Sequence, residues 1–123
     1  MYKFKTPALR NVSLTAPYGH NGAYPTLKSI IKHHLNPIKM NKNWKPEYAN
    51  LPKATWLEEI DFVTFSDKRE QDRILSSIDI QPIELNDKEI DELVSFLKSL
   101  TGRSGNQRPL GKPDKVPSGL SID

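Results

Sequence analysis

Three histidines, His20, His33 and His34, are the side chains best suited to chemistry in this 123-residue chain. An imidazole can move protons near neutral pH or donate a nitrogen to a metal. His20 sits in Pro17-Tyr18-Gly19-His20-Asn21-Gly22, a turn-forming stretch, whereas His33 and His34 are adjacent at the end of a regular pattern. Consecutive helical residues diverge by about 100°, so this pair does not chelate one ion, and no His-Glu-x-x-His spacing accompanies it. A histidine on an apolar face has two readings: a hydrogen-bonded core residue or a single ligand to a metal held mainly by something else. Ser, His and Asp are all present, but there is no Gly-x-Ser-x-Gly elbow. The Gly102–Gly105 pair comes after a helix where a phosphate loop would precede one. The absence of cysteine removes thiolate ligands, thiol nucleophiles, disulfides and any Cys-x-x-Cys-His haem attachment within this chain. No residue is assigned a catalytic role.

The elements that must hold these residues are set by periodicity. Residues 1–25, with Pro7, Pro17, Gly19, Gly22 and Pro25, have no sustained period and read as an extended, turn-rich segment. Thr26 is a good N-cap, and Leu27, Ile30, Ile31 and His34 share one face of a helix that Asn36-Pro37 should stop. His34 is therefore expected on the apolar face, lining a concave surface beside Leu27 or Ile30, with His33 turned toward solvent or the loop. Residues 37–66, carrying three prolines and Trp44, Tyr48, Trp56, Phe62 and Phe65, read as a long loop with one helical turn near 54–61. A short exposed helix capped by Ser66 is expected over 67–77. The last helix is the clearest: Asn86 caps it, Glu89 completes a capping box, and Leu85 can staple onto Ile90. Ile90, Leu93, Val94, Leu97 and Leu100 form its core-facing stripe, widened by Phe96, and Thr101-Gly102 ends it. The tail, 103–123, carries three prolines and no period.

This adds up to a mainly α chain with long loops and no sizeable sheet, in one domain over 1–102. About three helices in a chain of this length give too little core to stand comfortably alone, so a cofactor, a partner or more of the same protein should complete it. No apolar run approaches the roughly 20 residues of a membrane span, and the opening residues lack a signal-peptide core. Residues 1–50 carry eight Lys and Arg against the single acid Glu47, and residues 51–123 carry ten against fourteen acids. The basic half suggests an anionic partner. Its charges are scattered and match no nucleic-acid module, which leaves an acidic protein surface, haem propionates or plain solvation.

Several segments resemble, in order, the C-terminal part of bacterial dihaem cytochrome c peroxidases and their MauG-like relatives. They are Phe4-Lys-Thr-Pro-Ala-Leu-Arg-Asn11, Leu14-Thr-Ala-Pro-Tyr18, His20-Asn-Gly22, Thr26-Leu27, the helix from Leu85 to Thr101, and Val116-Pro-Ser-Gly-Leu120. The likeness covers about half the chain and leaves 37–80 as a lineage-specific insertion. It implies a cytochrome c-like partial domain from a periplasmic redox protein that reduces hydrogen peroxide. The parent would carry haem c on an N-terminal portion and take electrons from a small redox protein. It also implies that the residue eight after Thr26, His34, supplies the distal axial ligand of the electron-transferring haem, where the family usually has Met or Tyr. Bis-His ligation would lower that haem's potential relative to Met/His. The backbone carbonyls of Thr15 and Pro17 match half of an interdomain calcium site, and two carbonyls cannot fill a shell of 6–8 oxygens. Arg10 and Asn11 match positions that could hold haem propionates, with surface or turn structure the alternative. His20 matches a family histidine without an assigned role. From a different class, the chain could be a haem-free structural or interaction module built on the same scaffold, or an independent His-dependent metal binder.

Overall fold

The computed structural model describes residues 5–51, 56 and 60–103. Its elements are α1 (Leu27–Leu35), α2 (Pro37–Asn43), α3 (Val63–Ser66), α4 (Lys68–Ser76) and α5 (Asp87–Ser99), with single 3-10 turns at Val12–Leu14, His20–Gly22 and Pro46–Tyr48. Among the described residues there is no strand beyond one isolated antiparallel bridge, Tyr18 with Tyr24. The mainly α expectation therefore holds.

The segment before α1 is turn-rich, as the prolines and glycines require. Tyr18 and Tyr24 exchange two backbone hydrogen bonds, Tyr18 N to Tyr24 O at 2.7 Å and Tyr24 N to Tyr18 O at 3.0 Å. Three of the five residues between them take positive φ: Gly19 at 77°, Asn21 at 53° and Gly22 at 67°. This sharp reversal folds both tyrosines inward, and they form the buried cluster with Leu27. Val12, Ile30, Met40, Trp44, Val94 and Leu97 pack around it, so α1, α2 and α5 meet over the tyrosine loop.

α1 begins where expected. Thr26 Oγ1 accepts from Ser29 N, and Ser29 Oγ in turn accepts from Thr26 N, a reciprocal capping box. Leu27 and Ile31 are its buried positions. Beyond Leu35 the structure departs from the sequence expectation. Asn36 ends α1 and at once caps α2, its side chain accepting from Lys39 N, while Pro37 takes the first helical position, where its missing N–H costs nothing. Residues 37–43 are thus a helix rather than the start of a long loop. They are integral to the core, because Pro37 is buried and Met40 packs on the tyrosine cluster, and Trp44, which follows them, donates from Nε1 to Ala23 O at 2.8 Å while its ring meets Phe62 and Phe65. The turn expected near 54–61 lies mostly outside the described residues. α4 is capped by Asp67, which accepts from Arg69 N, and not by Ser66, which instead closes the short helix α3.

α5 has the expected cap and box: Glu89 N donates to Asn86 Oδ1 at 3.0 Å and Asn86 N to Glu89 Oε2 at 2.8 Å. Its buried face is rotated from the expected one. Ile90 is 5% exposed and Val94 and Leu97 pack on the core, but Leu93 is 37% and Phe96 55% exposed. The apolar positions span a wider arc than one contact surface covers, and the core engages only the Ile90–Val94–Leu97 edge. Leu85, expected to staple onto Ile90, lines a shallow depression with Glu89, Glu92, Leu93 and Phe96. The tail falls outside the described residues apart from Arg103, which is exposed.

Two kinds of substitution check this packing. In denaturant melts Ile90→Ala should cost about 2–5 kcal/mol, the usual range for emptying a buried aliphatic site, whereas Leu93→Ala should cost less than about 1 kcal/mol. At Gly22 an added Cβ would lie 2.9 Å from Pro17 Cγ and 3.0 Å from Asn50 O at a φ of +67°. Gly22→Ala should therefore lower stability by about 1–3 kcal/mol, read by the same melts.

Candidate functional site

The candidate residues sit on two structures: the Leu9–Tyr24 loops and the C-terminal turn of α1. Asn11 adopts a left-handed φ of 59°, its amide donates to Leu100 O at 3.2 Å, and its Oδ1 accepts from Gly102 N at 2.8 Å. It fastens the first loop to the end of α5, and Ser13 bonds Thr101 alongside it. This is the turn-structure reading of Asn11, with only its Nδ2 left to face a ligand. Arg10 next to it is exposed.

Thr15 and Pro17 are both exposed on the approach to the tyrosine loop. The Thr15 hydroxyl donates to Val12 O at 3.0 Å. Neither the Thr15 nor the Pro17 carbonyl accepts a backbone hydrogen bond among the described residues. Carbonyl oxygens are ligands a hard cation accepts, but two would be a minor part of its shell.

The histidine pair is arranged differently from the sequence expectation. His33 is half-buried and His34 exposed, the reverse of the expected facing. The 100° period places His34 beside Ile30 and Ile31 in angle, yet it stays exposed; the segment that reaches this last turn bonds the next residue instead, Ile83 N donating to Leu35 O at 2.9 Å. His33 turns instead toward the core and meets Tyr24: Tyr24 Oη lies 2.9 Å from His33 Nδ1, and the rings are 5.1 Å apart at 41°. Burial first, and the adjacent His34 second, hold the His33 pKa below the ordinary histidine value. Burial likewise raises that of Tyr24, so the pair is a neutral phenol and a neutral imidazole at neutral pH. His34 touches His33 edge-on, with centroids 5.7 Å apart at 72°, and its nitrogens take no hydrogen bond among the described residues. His20 is exposed in the tyrosine loop, within the reversal that the Tyr18–Tyr24 bridge closes.

Tyr24 is the site residue that sequence reasoning missed. Its signal was present as a second aromatic six residues after Tyr18 in a glycine-rich loop, but nothing in the spacing pointed it at His33.

The donor chemistry discriminates between metal types. Among the described residues no group of three or more His, Cys, Asp or Glu is placed to hold an ion, so these residues offer no chelate. A lone exposed imidazole with unengaged nitrogens, His34, would be a single donor to a metal held mainly by another group, such as haem. Haem c attachment itself has to come from elsewhere, since this chain has no cysteine. No described helix is long and apolar enough to cross a membrane.

Comparison with known proteins gives no matching family model and no matching solved structure. Curated relatives do match. The chain is 36% identical over 104 residues to the methylamine utilization protein MauG of Paracoccus denitrificans, covering 82% of this chain and 23% of that protein. It is 33% identical over 64 residues to MauG of Methylophilus methylotrophus, covering 52% and 19%. MauG of Methylorubrum extorquens is 24% identical over 99 residues, covering 80% and 19%. The chain spans about a fifth to a quarter of the length of these relatives. With a likeness to MauG running through most of its length, the chain belongs, as a part of such a protein, to the MauG-like family of dihaem cytochrome c peroxidase-like proteins.

Proposed function

We propose that this chain is the part of a dihaem, peroxidase-like redox protein that presents a distal axial ligand to a haem carried by the rest of the polypeptide, and that His34 is that ligand. The observation that carries the reading is the state of His34: an exposed imidazole, eight residues after the Thr26 cap, with nitrogens unengaged among the described residues. The exposure departs from the concave apolar setting expected for the ligand, and the half-buried His33 is the rival that the same position-counting would be off by one residue to reach; what favours His34 over it is that His33 Nδ1 is already engaged by Tyr24. Haem would supply electron transfer when bound. The work of this chain is to hold the imidazole on a capped, core-packed helix so that it reaches the iron without a large loss of side-chain freedom. Arg10, exposed beside the Asn11 anchor, and Asn11 Nδ2 are the groups proposed to face propionates, a match of fixed charge to carboxylate.

The Thr15 and Pro17 carbonyls are proposed as this chain's share of a calcium site, completed by oxygens from the haem-bearing portion and water. The parent's activity is proposed to be peroxide-linked electron transfer in the periplasm, with a small redox protein as donor and haem c as cofactor. The second reading, a haem-free interaction module on the same scaffold, is favoured by the exposed apolar residues of α5, Leu93 and Phe96, which need no haem to find a partner.

Titration of the folded chain with ferric haem separates the two. Binding with a Soret shift that His34→Gln weakens at least about tenfold supports the ligand, a change of about 1.4 kcal/mol. Equal binding by wild type and His34→Gln, or no binding by either, favours the haem-free module. In the haem-complete protein His34→Met should raise the reduction potential, since thioether replaces imidazole. Calcium at about 1 mM should leave the melting temperature of the chain unchanged, because two carbonyls bind too weakly for linkage to register. A rise of several degrees would show that the chain holds a complete site.

A further inference from the structure

We infer that Tyr24 is a positioning residue that decides which of the two adjacent histidines is available, by donating its phenolic proton to His33 Nδ1 and so leaving His34 as the one free imidazole of the pair. The inference rests on the ligand reading for its purpose, but its chemistry stands by itself.

A neutral imidazole has one lone-pair nitrogen and one N–H. With Tyr24 Oη 2.9 Å from His33 Nδ1, the phenol O–H fills that lone pair and the ring proton resides on Nε2. Neither nitrogen of His33 is then open to a metal or an electrophile. For Nε2 to act, the ring proton must move to Nδ1 and the phenol must turn from donor to acceptor, a poorer arrangement because a ring nitrogen is a better acceptor than a phenol oxygen.

The lock is rigid because Tyr24 cannot move away. It is 6% exposed, its backbone is pinned twice to Tyr18, its ring lies against Gly19, and it packs on Leu27. Its hydroxyl has no other hydrogen-bond partner among the described residues, so the whole of its donor capacity goes to His33. His34, one residue on and rotated by about 100° around the helix, has no comparable bond. Two adjacent imidazoles on a helix end would otherwise compete for the same ligand and give a mixed population. Here the spacing Tyr24-x8-His33-His34 resolves the competition before any ligand arrives.

The test is carbethoxylation of the full chain by diethyl pyrocarbonate at about pH 7.5, where an unperturbed histidine is mostly neutral, followed by tandem mass spectrometry to read each histidine separately. The reagent attacks only an open lone-pair nitrogen. In the wild type His34 should react at least about tenfold faster than His33. Comparable rates for the two would overturn the inference without any variant being needed. Tyr24→Phe keeps the ring and removes the donor, so His33 should accelerate about tenfold while His34 and His20 keep their wild-type rates. An unchanged His33 rate would also overturn it. If Tyr24→Phe loosens the fold, its melting temperature falls with the rise in the His33 rate, and the tautomer of His33 in the wild type, read by nitrogen-15 NMR, then decides: a ring proton on Nε2 is expected, and one on Nδ1 would overturn the inference. Haem titration provides the link to function: His34→Gln should lose binding and Tyr24→Phe/His34→Gln should regain part of it through the unlocked His33. Loss by His34→Gln with no regain in the double variant would refute the lock and leave the His34 ligand standing. Loss by His33→Gln with full retention by His34→Gln would refute both.

Discussion

The two backbone bonds between Tyr18 and Tyr24 are the constraint on which the rest of the described structure depends. They close a loop that only residues tolerant of positive φ can make, and they drive two large aromatic rings into the space between α1, α2 and α5. Each ring buries apolar area on the order of 150–250 Å² and brings a polar tip that must be satisfied. Tyr18 Oη donates to Val12 O at 2.8 Å, tying in the preceding 3-10 turn, and Tyr24 Oη reaches His33 at the far end of α1. The same pair of residues therefore sets the core, the docking of the first loop and the orientation of the histidine pair. A small chain with few helices gains much of its specificity from such polar tips, since its apolar contacts alone would allow several packings.

Legibility in the sequence depends on the range of the interactions. The caps of α1 and α5 are local, three residues apart, and Thr26 and Asn86 are readable because each carries its partner in the next turn. α2 is not, because Pro37 has both a stopping and a starting meaning for a helix. Asn36 serves both helices, and only the chain direction at that corner shows which. The face of α5 is half legible: periodicity names the apolar arc from Ile90 to Leu100, but which edge of it is buried depends on where α1 lies. The same limit governs the histidines. Angle places His34 with Ile30 and Ile31, yet which of the two adjacent histidines turns to the core depends on where Tyr24 lies, and the long-range bond from Tyr24 to His33 has no sequence signature.

The charge asymmetry also has an internal use. Lys28 Nζ lies 2.6 Å from Asp91 Oδ1 and Lys32 Nζ 3.7 Å from Asp87 Oδ1, so basic α1 meets acidic α5 along one seam. The Asp91 hydrogen bond comes first among the effects that raise the Lys28 pKa. Exposed pairs of this kind add little stability. Their effect is on register: both pairs would be lost if α5 slid by a turn, and the buried Ile90 would leave its place in the core. Part of the basic half thus meets its anionic partner within the chain, which narrows what an external partner has to satisfy. From Arg10 to Lys45, the basic residues Arg10, Lys39, Lys42 and Lys45 remain without an ion-pair partner among the described residues. Of these only Arg10 belongs to the loop that Asn11 anchors to α5, whereas the three lysines sit on and just after α2. An anion bound at the first loop and one bound at α2 would therefore be separate events, and the propionate contact proposed above concerns the first loop alone.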